Sequence, residues 1–274
     1  MKKYSLFRVV AVITLLFTTP LCADNGQRTA DEILELTGVN AQIVEIASLA
    51  RNEVESRKEL LPLDEYQRLL QLFSTTYDAK QLHHHVVTHF AQQLDTVKAN
   101  AWLSQLRSPL FSKLLQLEKE TASEKSLDKI IAYAKSQPES AAAESRLALI
   151  KRLDNATQAS ELVLDIQIAI SETLLHAINP SLPSNKQLSG KQLQRILAAL
   201  REQTRQTLLE VATVSYLYTY RDVSDAELTQ YIEHYESPLG ASMVKGIYQA
   251  LNSALKTAVT SPCQGPQAGD GRCS

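Results

Sequence analysis

A chain of 274 residues with 28 basic and 30 acidic side chains carries a formal net charge of −2, and its Lys and Arg are scattered, which excludes the electrostatic footprint of a nucleic-acid binder. Eight Gly, nine Pro and three Cys are too few for a collagen-like, low-complexity or disulfide-scaffold chain. What remains is a globular protein able to bury one large core or two smaller ones.

Residues 1–23 place Lys2, Lys3 and Arg8 before or at the edge of the apolar run 9–17, followed by Pro20 and a Leu-Cys-Ala ending. That is the pattern of a cleaved secretory signal peptide, with cleavage expected after Ala23 and a periplasmic destination. An apolar run of about nine residues falls well short of the ~20 that span a bilayer, so no permanent membrane span is expected. Cys22 raises the alternative of a lipid anchor, but Leu21 is larger than the small residue such processing favours, which argues against it.

From Thr29 onward apolar residues recur at helical spacing and nothing reads as a strand run. Helices are expected over 30–36, 40–59, 63–75, 79–94, 97–106, 109–121 and 127–136, with another starting at Pro138 and running with short breaks to 178. Within 79–94, His83, His84, His85 and His89 form the densest group of metal-ligand side chains in the chain, and His85 with His89 has the i, i+4 spacing that lets two imidazoles share a cation such as zinc. The set lacks a third ligand and the Glu of an H-E-x-x-H pair, so no general base accompanies it. Ordinary helix surface with one core-edge histidine, His83, is the plainer reading. The Lys-, Glu-, Ser- and Ala-rich segment 123–143 separates two halves, and its Leu127, Ile130, Ile131 and Ala134 should pack against the bundle. The loop 179–185, with Pro180 and Pro183, is the clearest interruption. Ser189 with Gln192 should cap a long helix reaching Tyr220 by way of a bend.

Residues 223–251 hold the most complete set of signals. Ser224 and Glu227 form a capping box, and Val223 with Leu228 a hydrophobic staple. Leu228, Tyr231, Ile232 and Tyr235 then line one helical face. Pro238 ends that helix, Ser237 caps the next with Pro238 at its first position, and Gly240 lets the two helices approach closely. The same corner occurs earlier: residues 102–110, with Ser108 and Pro109, align with residues 231–239 at a constant spacing of 129. Asp95 falls on the cap Ser224 and Leu94 on the staple Val223. Phe111 stands where Gly240 does, which predicts a wider crossing in the first copy. Gln67-Arg68-Leu69-Leu70 matches Gln194-Arg195-Ile196-Leu197 at nearly the same spacing, so each copy holds at least four helices. Near the second corner, Tyr216, Tyr218, Tyr220, Tyr231 and Tyr235 suit a core edge or a partner-binding face.

The expected organisation is therefore all-α: a signal peptide at 1–23, a first helical copy at 24–137, a second at 138–260 and a tail at 261–274. The two pseudo-repeats pack as one helical bundle. Cys263 and Cys273 lie in the Gly- and Pro-rich tail, where an exported chain would oxidise them to a disulfide; a tail with two thiols is the alternative.

At residues 226–240, AELTQYIEHYESPLG, the chain resembles an exported bacterial family known as domain of unknown function 2059. Leu228, Tyr231, Tyr235, Ser237, Pro238 and Gly240 carry the resemblance, which covers the last third well and the first copy faintly. It implies an all-helical exported domain and brings no catalytic residues. The function expected on these grounds is non-enzymatic binding, to an envelope protein or assembly, with no cofactor. Two alternatives stand beside it: a metal- or small-ligand-binding protein using His83 to His89 or a pocket between the copies, and a hydrolase whose site one sequence does not display.

Overall fold

The computed structural model describes residues 21–122, 124–136 and 144–260. Among them are twelve α-helices, two short 3₁₀ turns and no strand. The first half comprises α1 (Leu21–Leu36), α2 (Val39–Glu55), a 3₁₀ turn Lys58–Leu60, α3 (Leu63–Thr76), α4 (Ala79–Gln93), α5 (Thr96–Leu106) and α6 (Pro109–Thr121). After α7 (Glu124–Ser136) come α8 (Glu144–Thr157), α9 (Ala159–Ile178), a 3₁₀ turn Asn179–Ser181, α10 (Gly190–Thr219), α11 (Asp225–Glu236) and α12 (Pro238–Thr260). The order repeats: two helices, a 3₁₀ turn, a long helical stretch, a short helix, a Ser-Pro corner and a last helix. Even the backbone strain repeats. Gly38 (φ 75°) joins α1 to α2 and Gln158 (φ 55°) joins α8 to α9, and these are the positive-φ residues of the described chain. Glycine takes that conformation freely, whereas Gln158 does so at a cost of about 1 kcal/mol.

Where the copies differ, local chemistry explains it. In the first, the long stretch is broken after Thr76. Asp78 accepts from Gln81 N–H at 2.9 Å and starts α4 afresh. Tyr77 is buried at the break, donating to Ala169 O (3.0 Å) and sharing a hydrogen bond with Thr173 Oγ1 (2.7 Å), both on α9 of the other copy. The break turns α4 onto α12, where Gly246 is so close to the Phe90 ring that a Cβ would stand 3.0 Å from it. In the second copy, α10 runs unbroken for 30 residues. Its start is fixed as the sequence implies, with Gln192 Oε1 accepting from both the Ser189 N–H (2.8 Å) and hydroxyl (2.7 Å). On α10, Leu209 and Val211 stand at 41% and 56% exposure.

One apolar cluster takes side chains from both halves, among them Phe73, Phe90, Trp102 and Phe111 with Tyr220, Tyr231 and Leu251. Two boundaries and one helix face also differ from expectation. Helix α1 begins before Ala30 and buries Ala30, Ile33 and Leu34 completely. Helix α2 stops at Glu55 and the chain tightens to 3₁₀ geometry before Leu63. On α7 the bundle-facing side is Ser126, Ile130 and Tyr133 rather than Leu127, Ile131 and Ala134; Tyr133 lies edge-on to Tyr218 at 5.6 Å, and Leu127 is 59% exposed. No single described helix is long and apolar enough to cross a membrane. The leader, apart from residues 21–23, and the Cys263 and Cys273 tail lie outside the described residues.

Candidate functional site

The two Ser-Pro corners have the same local build. Ser108 and Ser237 sit at ψ 154° and 155°, each capping a helix that begins with its proline. Ser237 Oγ donates to His234 O (2.6 Å) and accepts from Gly240 N–H (3.0 Å), while Ser108 Oγ takes the Phe111 N–H at the looser distance of 3.5 Å. A Cβ on Gly240 would meet backbone atoms of His234 and Tyr235, at 2.7 Å from Tyr235 Cα. Phe111 has such a Cβ, so α6 cannot approach α5 in that way. The corners face each other: Gln105 Nε2 and His234 Nδ1, which hold the same position in the two copies, are 3.1 Å apart. A contact between equivalent positions is what an approximate two-fold axis produces.

The Phe111 ring fills the space at this axis, 4.7 Å from Tyr231, 5.7 Å from Tyr235 and 5.3 Å from His234, with Trp102 edge-on at 5.8 Å. Two turns along α6, Glu118 enters the same aromatic group. Its Oε1 accepts from Tyr220 OH (2.5 Å) and Tyr231 OH (2.8 Å), and Tyr231 and Tyr235 hydroxyls meet at 3.2 Å. Removal from water raises the Glu118 pKa against the lowering effect of the two phenol donors. The same burial, with the carboxylate close by, pushes Tyr216, Tyr220, Tyr231 and Tyr235 up as well.

Glu118 also lines a cleft of about 370 Å³ between the two copies, walled by residues of α2, α6, α8, α9, α10 and α12. Leu153, Leu162, Val244 and Ile247 form its apolar wall, and Tyr216, Tyr235 and Tyr248 its aromatic one. Tyr216 is shared with a second hollow of about 520 Å³ between α8, α9 and α10. A polar clamp fixes the far wall. Asp165 on α9 takes Arg201, Tyr248 OH and Asn252 Nδ2 (3.3 Å), while Glu161 takes Arg201 Nη1 (2.9 Å) and Arg205 Nη1 (2.5 Å). Burial, then the bond to Asp165, pushes the Tyr248 phenol up to about 12.

The sequence marks the tyrosines but passes over Glu118. The signal was there: Phe111, Leu114 and Glu118 recur at core-facing spacing, and an acid in such a register is the anomaly worth reading.

The histidines lie elsewhere. His85 and His89 stack one turn apart on α4, ring centroids 6.4 Å apart, but His85 Nε2 faces Ser253 Oγ (3.2 Å) and His89 Nδ1 faces Gln93 Nε2 (2.9 Å). His83, expected at the core edge, is half-exposed and meets Asp31 Oδ1 at 2.9 Å; His84 is exposed. His84 and His85 border an open groove of about 840 Å³ between α3, α4 and α12. Among the described residues no three His, Cys, Asp or Glu side chains converge as a metal site.

Replacing Glu118 by Gln tests the electrostatics directly. Because burial raises its pKa above the unfolded value near 4.5, the stability it gives is complete below that value and is lost as pH rises through the folded pKa. Glu118→Gln is therefore expected to melt ~2–4 °C above the native chain at pH 8, a shift of the size that 1 kcal/mol gives a chain of this length, with the gain vanishing at pH 4. Thermal melts followed by circular dichroism check it; equal melts at pH 8 contradict it. Glu227 works in the opposite sense. Lys113 (2.7 Å) and the Ser224 hydroxyl hold it near pKa 2, so its contribution exists above the usual carboxylate range and fades in acid.

Fold and site together define a class: an all-helical protein of two facing helical units with a carboxylate-bearing, aromatic-walled cleft between them. No protein-family model, no curated protein and no solved structure matches the chain.

Proposed function

We propose that this is an exported, non-enzymatic binding protein of the cell envelope that takes a small ligand into the cleft between the two copies. The export reading comes from the leader pattern at residues 1–23, and the resemblance of residues 226–240 to the exported domain of unknown function 2059 accords with it. The observation that carries the binding reading is the cleft itself, apolar-walled with one carboxylate among its lining residues, a composition typical of small-molecule sites. Glu118 touches two phenols, each shifted far above neutrality, and neither is tuned to exchange protons near pH 7.

The test is a thermal-shift screen of envelope metabolites against the full chain and against Ala159→Trp, which places an indole in the cleft. Ligands that raise the melting temperature of the native chain and leave the variant unmoved support the reading. Equal shifts in both, or no ligand at all, sink it. N-terminal sequencing of the protein from the envelope fraction should begin at Asp24; an intact Met1 there would remove the export part.

A partner protein is the second reading, and one observation favours it. Leu127 and Ile131 on α7, Leu147 on α8 and Leu209 and Val211 on α10 are all more than a third exposed, and Leu147 and Leu209 line the hollow between α8, α9 and α10. Crosslinking in envelope fractions should then capture a single partner through these helices, and recovery of the chain alone counts against it.

A further inference from the structure

We infer that the cleft selects an organic monocation, an alkylammonium, whose charged head meets Glu118 and whose hydrocarbon part lies along the apolar wall. This rests on the binding reading above and gives it a ligand class.

Start from the carboxylate. Both phenols donate to Oε1, and Oε2 takes no hydrogen bond from the described residues. Oε2 is thus the oxygen with capacity left for a ligand, on a side chain that lines the cleft. No Lys, Arg or His among the described residues lines the cleft beside it, so a ligand enters a field with one sign. An anion would face an unneutralised like charge. A neutral apolar ligand would bury Oε2 without a partner, which costs free energy for every such group. An ammonium donates to Oε2, neutralises the charge in a site of low dielectric and places its methylene or methyl surface against phenol rings, which attract cations.

The remaining lining agrees with that shape. Tyr216, Tyr235 and Tyr248 supply the aromatic lining, and Leu153, Leu162, Val244 and Ile247 receive a chain of a few carbons. A volume of about 370 Å³ lies at the small end of the range for small-molecule sites.

Charge supports the same conclusion from another side. The groups that face Glu118 are Tyr216 and Tyr220 from α10 and Tyr231 and Tyr235 from α11, with Asp154 on α8 acting on Tyr216. The phenols all stay neutral through the working pH range. Glu118 is the group whose protonation changes, and a bound cation favours its ionised form. Binding therefore weakens as pH falls.

Three probes of one shape decide the matter: n-hexylammonium, 1-hexanol and hexanoate, titrated calorimetrically into the full chain at pH 7.5, with the fluorescence of the single Trp102 beside Tyr235 as a second reading. Hexylammonium is expected to bind at least ~10-fold more tightly than hexanol, the ratio that 1.4 kcal/mol gives, and hexanoate more weakly than either. Glu118→Gln should bring hexylammonium to the level of hexanol while leaving hexanol unchanged, which also shows that the cleft is intact. Ala159→Trp should abolish whichever probes bind. Equal binding of hexylammonium and hexanol, tighter binding of hexanoate, or a cation preference that survives in Glu118→Gln overturns this inference and leaves the binding reading standing. Probes that bind Ala159→Trp as well as the native chain overturn both. Should none of the three bind while the metabolite screen yields ligands sensitive to Ala159→Trp, only the cation class falls.

Discussion

Gly240→Ala is expected to lower stability by about 3 kcal/mol, a drop in melting temperature of order 10 °C for a chain of this size. The added methyl has nowhere to go. It would press on the backbone of His234 and Tyr235, 2.7 Å from both Cα and O of the latter, and backbone at a capped helix end cannot swing aside as a side chain can. Alanine's helix preference returns up to ~1 kcal/mol, so the net effect understates the clash. Two other glycines calibrate the result. Gly246→Ala meets the Phe90 ring at 3.0 and 3.3 Å, contacts that a ring can relieve by shifting a few tenths of an ångström, and the helix gain roughly balances the loss. Gly190→Ala meets nothing within 4 Å and should be neutral or slightly stabilising. Chemical denaturation of the three variants should rank Gly240 far above Gly246 and Gly190. If Gly240→Ala melts within 2 °C of the native chain, the close approach at the corner is not what holds α11 and α12 together.

That corner was legible in the sequence because its signals are local. Ser224 with Glu227, Asp95 before α5 and Ser237-Pro238 each act within one helical turn, and each is found in the role its chemistry implies. The repeat was legible too, since Ser-Pro stands at the same place in both copies. What the sequence could not display is anything set by long-range contact or by the rotation of a helix as a body. The break at Tyr77-Asp78 was legible, since helices were expected over 63–75 and 79–94 and Asp78 caps the second, but that Tyr77 fills the break by reaching α9 of the other copy was not. On α7 the apolar residues sit on adjacent stripes, and tertiary contact with Tyr218 picked the stripe that carries Tyr133. Periodicity has no view on that choice. The cleft follows from these long-range decisions, so Glu118 was passed over, since its tyrosine partners lie a hundred or so residues away and were not assignable to it.

Phe111→Ala carries the other large expected effect, a loss of about 3–5 kcal/mol, because a fully buried ring leaves a cavity that its neighbours cannot collapse to fill. Those neighbours are Trp102 from its own copy and Tyr231, His234 and Tyr235 from the other, so the loss is shared across the pseudo-two-fold axis. Phe111→Leu keeps most of the volume and gives up the edge-to-face ring contacts, and should cost less than half as much. Glycine here would copy the second corner in letters and make matters worse, since the first corner is built wide to admit a ring. A double-mutant cycle of Phe111→Ala with Tyr231→Leu should show coupling above 0.5 kcal/mol, whereas Phe111→Ala with Leu193→Ala, on the far half of α10, should add independently. The shape of the unfolding curve matters as much as its midpoint. With one core built from both copies, Phe111→Ala should shift a single transition intact. Two resolved transitions would mean that the copies fold as separate units and that the ring at their junction is an interface residue, a result under which a cleft between them would open and close with domain motion instead of being preformed.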